Sequence, residues 1–202
     1  MKNLKIGVLG IQGAVSEHVE AINNTIKENG LEGCGVVVKT KNQLEEVQAL
    51  IIPGGESTTI GRVSKERNLF EKIVQKAKEG LPIFGTCAGL VLLAKEVFDA
   101  KVGVLEQPIF GLMDVKVIRN AFGRQRESFE VELEVPILGE KPFPAVFIRA
   151  PIVEKAWGKT KVLAKYEEKI VAVQEDNLLA TAFHPELTND RRFHQYFLKM
   201  TF

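Results

Sequence analysis

Residues 81–95, LPIFGTCAGLVLLAK, decide the fold of this sequence. An apolar run ends in a turn of small residues, and good helix formers follow, which predicts a strand, a sharp turn and a helix over residues 88–97. Gly85 and Gly89 stand two residues before and two residues after Cys87. This G-x-C-x-G spacing is the cysteine form of a nucleophile elbow, a cramped turn whose flanking positions must be small.

Cys87 is the candidate nucleophile of this turn. An elbow exposes its nucleophile at the carboxyl edge of a sheet, above a helix N-terminus whose partial positive charge favours thiolate over thiol. The alternative is a buried structural cysteine, which is the usual role of a lone cysteine in apolar surroundings. The two flanking glycines favour the nucleophile.

The composition predicts one compact domain over residues 1–202. Lys and Arg number 27 and Asp and Glu number 26, so no basic excess indicates nucleic acid as a partner. The N-terminus enters a strand directly, and no apolar run reaches the roughly 18 residues of a membrane span. Cys34 and Cys87 do not make a disulfide framework. We therefore expect a reducing, cytoplasmic location and no membrane partner.

Strands and helices alternate in the first half of the chain. Residues 4–10, 36–38 and 49–52 have strand patterns, and residues 16–29 and 42–47 have helix patterns. This alternation predicts an α/β fold with a mainly parallel sheet covered by helices. Ligands of such folds bind beyond the carboxyl ends of the strands.

After the elbow helix the pattern changes to successive short strands joined by short loops. These strands are largely antiparallel candidates. They cover residues 111–120, 128–135, 145–148, 161–166, 170–174 and 178–183.

The segment PGGESTT, residues 53–59, follows a predicted strand at the same edge of the sheet as the elbow. It has neither the lysine of a P-loop nor the third glycine of a dinucleotide-binding loop, so it is a poor phosphate site. Gly54 and Gly55 can instead direct backbone N–H groups at an oxyanion. The alternative is an ordinary strand-to-helix turn with Ser57 or Thr58 as its cap.

The last predicted strand runs directly into the tripeptide HPE, residues 184–186. Successive side chains of a strand alternate between its faces, so His184 and Glu186 are expected on the same side. The carboxylate can then orient the imidazole, while Pro185 excludes a ladder hydrogen bond. This pair supplies a base and its orienting group.

The other two histidines, His18 and His194, lie on predicted helices, and we assign both a structural or surface role. Three histidines and two distant cysteines do not match a zinc-ligand spacing, so we expect no metal site. A nucleophile, an oriented imidazole and paired backbone donors together indicate acyl transfer through a thioester.

In that chemistry Cys87 attacks a carbonyl carbon, and His184 protonates the leaving nitrogen before it activates water. The backbone N–H groups of Gly54, Gly55 and Ala88 would hold the oxyanion. Each such donor typically lowers the barrier by about 3 kcal/mol.

Six segments in order resemble the class I glutamine amidotransferases and, among them, the glutaminase subunits of pyridoxal 5'-phosphate synthase. They are GVLGIQGAVSEH, LIIPGGESTT, FGTCAGLVLLAK, FGRQRESFE, VFIRAP and FHPELTND. The resemblance implies a flavodoxin-like three-layer fold and a catalytic triad of Cys87, His184 and Glu186. It also implies hydrolysis of L-glutamine, no cofactor, and a synthase subunit that receives the ammonia within a hetero-oligomer.

The same resemblance implies where glutamine binds and how the partner acts. Gln12 is placed near the oxyanion hole, and the loop with Gly54 needs the partner to complete its geometry. Residues 22–35 are a few residues longer than in the family, on a helix that lies near the synthase. The implied substrate-binding residues are Gly55, Glu56, Ser57, Arg119, Ile148 and Arg149.

Three other functions stay open at this point. One is a non-catalytic regulatory module with the same fold, against which the intact set of Cys87, His184 and Glu186 argues. Another is a cysteine hydrolase or deglycase-like protein, whose families lack the late HPE. The third is a glutaminase that serves another ammonia-using synthase, such as one in histidine biosynthesis, against which only the resemblance argues.

Overall fold

The computed structural model describes residues 3–100, 103–104, 106–121 and 128–202, and most of the segment FGRQRESFE lies outside these ranges. Within them the chain forms six helices and thirteen strands. The helices are α1 (Val15–Glu28), α2 (Lys41–Glu45), α3 (Ser57–Glu66), α4 (Phe70–Lys78), α5 (Ala88–Leu93) and α6 (Arg192–Lys199). The strands are β1 (Leu4–Leu9), β2 (Gly33–Val38), β3 (Ala49–Ile52), β4 (Ile83–Thr86), β5 (Ala94–Asp99), β6 (Gly103–Val104), β7 (Met113–Arg119), β8 (Ser128–Leu133), β9 (Phe143–Ile148), β10 (Ile152–Ala156), β11 (Lys161–Tyr166), β12 (Lys169–Glu175) and β13 (Leu178–Thr181).

The parallel part of the main sheet has the strand order β2-β1-β3-β4-β13. Strands β3, β4 and β13 are buried at every position, so both of their faces must be covered. Among the helices, α1 contacts α6, and α3 contacts α4 and α5. The mainly parallel α/β sheet predicted from the sequence is confirmed.

Antiparallel strands extend this sheet beyond β13. Strand β12 pairs with β13, β11 and β10, and β10 pairs with β7, all in antiparallel register. Strand β7 then pairs in parallel with β5, while β8 and β9 form a separate antiparallel pair. The added antiparallel strands are therefore also as predicted.

Two of the differences from the prediction concern the strands that flank β7. The helix predicted over residues 88–97 ends at Leu93, because Ala94 takes an extended backbone (φ −63°, ψ 146°) and residues 94–99 pair with β7 as β5. Strand β10 was not predicted. Its ladder with β7 shifts register between Val153 and Lys155, and this irregularity removes the two-residue alternation by which strands are recognised.

An aromatic cluster anchors the two chain segments that lead into the site. The ring of Phe193 on α6 lies with its centroid 6.4 Å from that of Phe84 on β4 and 5.3 Å from that of Phe183. Aromatic pairs of this kind contribute about 0.5–1.5 kcal/mol beyond their buried area. Phe84 stands shortly before Cys87 and Phe183 directly before His184, so the cluster fixes both segments.

Among residues 3–100, 103–104, 106–121 and 128–202, no helix has the length and apolar character needed to span a bilayer. No group of His, Cys, Asp and Glu side chains in the described ranges is arranged to hold a metal ion. Cys34 and Cys87 are both free thiols.

Candidate active site

Cys87 lies in the turn between β4 and α5, at the carboxyl edge of the parallel strands. Its backbone conformation (φ 49°, ψ −99°) is one that residues other than glycine rarely adopt, and such strain costs about 1–3 kcal/mol. A Cβ on Gly85 would lie 2.6 Å from the backbone of Gly89, and one on Gly89 would lie 2.3 Å from the carbonyl oxygen of Ile52. Both positions therefore require glycine. The turn has the geometry of a nucleophile elbow.

His184 and Glu186 meet in a tight turn that the sequence did not predict. Strand β13 ends at Thr181, two residues before the predicted end at 183, so strand alternation does not align the two side chains. The 3₁₀ turn Pro185–Leu187 does so instead. It brings Oε1 of Glu186 to 2.7 Å from Nδ1 of His184. The expected pairing forms, but its predicted cause was wrong.

The electrostatics of this pair favour two charged groups. Burial lowers the pKa of His184, but hydrogen bonds and charge from Cys87 and Glu186 outweigh burial and raise that pKa to about 10. Burial likewise opposes ionisation of Glu186, yet the imidazoles of His18 and His184 hold its pKa below the ordinary value. His184 is therefore an imidazolium, and Glu186 a carboxylate, at neutral pH.

Gly54 packs directly against the imidazole. A Cβ at this position would lie 2.3 Å from Cε1 of His184, so the loop can approach the ring this closely only with glycine at position 54. The N–H of Gly54 donates to Oγ1 of Thr86 over 3.0 Å. This bond contradicts the predicted direction of that N–H, which is paired and not free to face an oxyanion. Ala88 begins α5, where the first backbone N–H groups lack intrahelical partners, so its N–H is better placed.

The loop after β1 supports the loop that contains Gly54 and Gly55. Oε1 of Gln12 accepts a hydrogen bond of 2.8 Å from the backbone N–H of Glu56. Gly13 has a φ of 101°, and a Cβ there would lie 1.6 Å from the carbonyl oxygen of Gly54. The two loops are therefore closely packed, and Gln12 acts on the loop and not on the sulfur in this arrangement.

A cavity of about 520 Å³ opens above the elbow, a volume in the usual range for small-molecule sites. The carbonyl oxygen of Ile148 lies 3.9 Å from Sγ of Cys87. Glu186 does not line the cavity, because it lies behind His184. All the other predicted site residues do line it: Gln12, Gly54, Gly55, Glu56, Ser57, Cys87, Ala88, Arg119, Ile148, Arg149 and His184.

Charged side chains of both signs face this cavity. Nη2 of Arg149 lies 3.8 Å from Oε1 of Glu56, and both side chains are largely exposed. Nη1 of Arg119 donates to Oε1 of Gln107 over 3.1 Å, and Oγ of Ser57 donates to the same oxygen over 3.1 Å. Gln107 was missed in the sequence, since no motif surrounds it.

His18 is the second residue that sequence reasoning missed. It is fully buried, with Nε2 3.0 Å from Oγ1 of Thr86 and 3.3 Å from Oε2 of Glu186, so a surface role is excluded. Its Nδ1 lies 3.2 Å from Nε2 of His194, which is also fully buried. The available signal was its place four residues before Ile22, on the apolar face of the helix.

Known proteins are similar in sequence to nearly the whole of this chain. The sequence profile of the SNO glutamine amidotransferase family matches residues 8–202. The chain belongs to the SNO glutamine amidotransferase family. Two relatives of this family member are each a "pyridoxal 5'-phosphate synthase subunit PdxT". The relative from Moorella thermoacetica is 53% identical over 98% of this chain and 99% of its own length. The relative from Desulforamulus reducens is 54% identical over 96% of this chain and 98% of its own length.

Solved structures of glutamine amidotransferases share the fold of this SNO family member. One crystal structure of a glutamine amidotransferase superposes with a TM-score of 0.86 at 46% identity, and the match covers 97% of this chain and 98% of that one. A second, from Thermotoga maritima, gives a TM-score of 0.63 at 12% identity, and the match covers 98% of this chain and 83% of that one. This second likeness concerns the fold alone.

The amidotransferase pocket therefore joins several groups with distinct chemical abilities. The sulfur of Cys87 and the His184 imidazolium line the same cavity, and a buried carboxylate orients the imidazolium. The N-terminus of α5 lies beside the thiol, and side chains of both charges face the cavity above it. Such an arrangement can bind a small zwitterion and transfer an acyl group of that molecule to sulfur.

Proposed function

We propose that this chain hydrolyses L-glutamine to L-glutamate and ammonia as the glutaminase subunit of a pyridoxal 5'-phosphate synthase. The observation that carries the proposal is that Cys87 and His184 line one cavity of amino-acid size, with Nδ1 of His184 2.7 Å from Oε1 of buried Glu186. The names of the two relatives support the choice of synthase. We further propose that residues 1–202 form one glutaminase domain, which functions in the cytoplasm.

Glutamine binding follows from the charges that face the cavity. Glu56 receives the α-ammonium group, and Arg119 and Arg149 receive the α-carboxylate, because among the described residues these are the charged side chains on the cavity wall apart from His184. The backbone around Gly55 and Ile148 and the hydroxyl of Ser57 complete the site. The side-chain amide then points down to the sulfur of Cys87.

The first half-reaction forms a thioester. The reacting pair starts with its proton on the His184 imidazolium, and the thiolate sulfur of Cys87 attacks the amide carbon of the glutamine side chain. The negative charge that develops on the amide oxygen is held by backbone N–H groups, those of Ala88 and Gly55 being the candidates. His184 gives its proton to the nitrogen, the carbon–nitrogen bond breaks, and ammonia leaves. Glu186 stays ionised and orients the imidazole throughout.

The second half-reaction releases glutamate. His184, now neutral, takes a proton from water, and the water oxygen attacks the thioester carbon. The carbon–sulfur bond breaks, the thiolate of Cys87 beside the His184 imidazolium is restored, and L-glutamate dissociates. The sum of the two halves is the addition of water across the amide bond.

A synthase partner is part of this proposal. Free ammonia in neutral water is mostly protonated and therefore not nucleophilic, so an acceptor must dock where ammonia is released. The bond from the Gly54 N–H to Thr86 leaves the oxyanion site without one of its expected donors, which supports low activity of the isolated chain. Docking of the synthase subunit would complete this loop.

The test measures glutamate release from L-glutamine by the purified chain, alone and with a pyridoxal 5'-phosphate synthase subunit, with Cys87→Ala as the control. We expect release to rise strongly with the partner and to vanish in the variant. Equal rates with and without the partner would contradict the role of docking. Absence of release that depends on Cys87 in both mixtures would contradict the glutaminase itself.

A further inference from the structure

A buried histidine behind the catalytic groups takes no part in the mechanism above. His18, on α1, has a polar neighbour at each ring nitrogen and no exposed surface. Nε2 faces Thr86 and Glu186 at 3.0 and 3.3 Å, and Nδ1 faces His194 at 3.2 Å. A buried polar side chain with this many partners must satisfy them in a defined arrangement.

The carboxylate of Glu186 has an oxygen that needs a donor. Its Oε1 is occupied by His184, while Oε2 is buried without a hydrogen-bond partner among the described residues. A buried carboxylate oxygen without a donor is costly. Nε2 of His18 lies 3.3 Å from this oxygen, so a small rotation of either side chain turns the contact into a hydrogen bond.

The neighbouring histidine selects the tautomer that provides this donor. Nδ1 of His194 has no partner among the residues that the structure describes. An unpaired buried N–H is rarer than an unpaired acceptor, so the proton of His194 belongs on Nε2, where it points at Nδ1 of His18. Nδ1 of His18 then accepts, and its proton lies on Nε2, facing Glu186 and Thr86.

The second neighbour of Nε2 connects His18 to the oxyanion loop. Oγ1 of Thr86 lies 3.0 Å from Nε2 and accepts the N–H of Gly54, also over 3.0 Å. Thr86 directly precedes Cys87. A single imidazole N–H therefore faces the carboxylate behind His184 and also the hydroxyl that holds the loop.

We propose that His18 is a positioning residue: its Nε2–H holds the Glu186 carboxylate in line with His184 and, through Thr86, holds the Gly54 loop against the elbow. The inference rests on the proposed glutaminase function, since it concerns the same site. His18 does not line the substrate cavity and acts only through these neighbours.

The charge state of His18 agrees with a neutral donor. Burial lowers its pKa, and the positive charge of His184 acts in the same direction, while Glu186 and Glu17 act against them. The third imidazole, His194, is buried and has a pKa lowered to about 3, so it too is neutral. At neutral pH the cluster therefore offers hydrogen bonds from neutral imidazoles behind the triad.

Two amide variants separate the two ring nitrogens. In His18→Gln the amide nitrogen takes the place of Nε2, whereas in His18→Asn it reaches only the place of Nδ1. His18→Phe keeps a ring without either nitrogen. Thr25→Val is the matched control, because Thr25 is buried on the same helix and its hydroxyl donates to the backbone carbonyl of Ala21.

Each variant is assayed for glutamate release with the synthase subunit present, and its unfolding midpoint is recorded. We expect kcat about 10- to 100-fold lower in His18→Asn and His18→Phe, the effect of losing one hydrogen bond to a charged group. We expect His18→Gln to restore most of kcat, and KM to stay within about threefold throughout. Thr25→Val should retain kcat despite a lower unfolding midpoint.

Equal kcat in the Gln and Asn variants, or a KM that rises as kcat falls, would overturn the proposal. A second readout does not depend on glutamine: the pH dependence of Cys87 alkylation by iodoacetamide, followed by mass spectrometry of its peptide. If the wild-type chain releases no Cys87-dependent glutamate, the proposed function fails. The pH profile of alkylation then tests the positioning role of His18 by itself. A profile displaced in His18→Asn but not in His18→Gln supports the positioning role, and identical profiles overturn it.

Discussion

Replacement of Glu186 by glutamine removes one negative charge behind the imidazole and keeps the size of the side chain. Oε1 of Glu186 lies 2.7 Å from Nδ1 of His184, and the carboxylate is fully buried. The glutamine amide can present its oxygen to Nδ1, which keeps a neutral hydrogen bond, or its nitrogen, which requires the opposite tautomer of His184. In both cases the imidazolium loses its counter-charge.

The magnitude follows from the pKa of His184, which is raised from 6.5 to about 10. One pKa unit is about 1.4 kcal/mol, so Cys87 and Glu186 together stabilise the imidazolium by about 5 kcal/mol more than burial destabilises it. If half of this net stabilisation comes from Glu186, its loss raises the barrier by about 2–3 kcal/mol and lowers kcat about 30- to 150-fold. KM should stay within about threefold of wild type, because Glu186 does not line the cavity.

The assay is glutamate release over a range of glutamine concentrations, with the synthase subunit present. Glu17→Gln is the matched control, since Glu17 is an exposed carboxylate on the nearby helix α1 and accepts from Ser16. It should leave kcat within about twofold of wild type. An unchanged kcat in Glu186→Gln, or a KM that rises as much as kcat falls, would refute the orienting role of this carboxylate.

Further predictions concern the buried imidazole, the elbow and the substrate pocket. Because the pKa of His194 is about 3 when folded and 6.5 when unfolded, the unfolded chain binds the extra proton and stability falls as pH drops through this interval. His194→Phe should reduce this slope in urea titrations, and an unchanged slope would contradict the assignment. Gly89→Ala places a Cβ 2.3 Å from a backbone oxygen and should lower the free energy of unfolding by about 1–3 kcal/mol. Wild-type stability in this variant would be inconsistent with the elbow. Gln107→Leu removes the acceptor shared by Ser57 and Arg119 and should raise KM for glutamine about tenfold at similar kcat. An unaltered KM would exclude this role.

The local elements of the fold could be predicted because their causes are local. The strands Ala49–Ile52 and Lys161–Tyr166 have the predicted bounds, and the elbow follows from the spacing of two glycines around Cys87. The end of the elbow helix could not be predicted in this way. Residues 94–97 pair with a strand that comes later in the chain, and this pairing overrides their helix propensity.

In the candidate site, too, features with local causes could be predicted and features that depend on distant contacts could not. The motifs select Cys87, His184 and the glycines at positions 54 and 55, and the resemblance contributed Arg119 and Ile148, which local patterns alone did not select. The supporting contacts join distant positions: Gln107 and Ser57 are 50 residues apart, and His18 and His194 are 176 apart. No short motif encodes such contacts, so only the folded chain reveals them. The same holds for the N–H of Gly54, whose bond to Thr86 depends on how two loops pack.

The central claim is that Cys87 attacks the side-chain amide of glutamine, and a covalent adduct tests it most directly. The complex with the synthase subunit would be treated with a diazoketone analogue of glutamine and then digested and analysed by mass spectrometry. We expect one analogue per chain, attached to the peptide that contains Cys87 and blocked by excess L-glutamine. Labelling of Cys34 alone, or labelling that glutamine does not block, would contradict the claim.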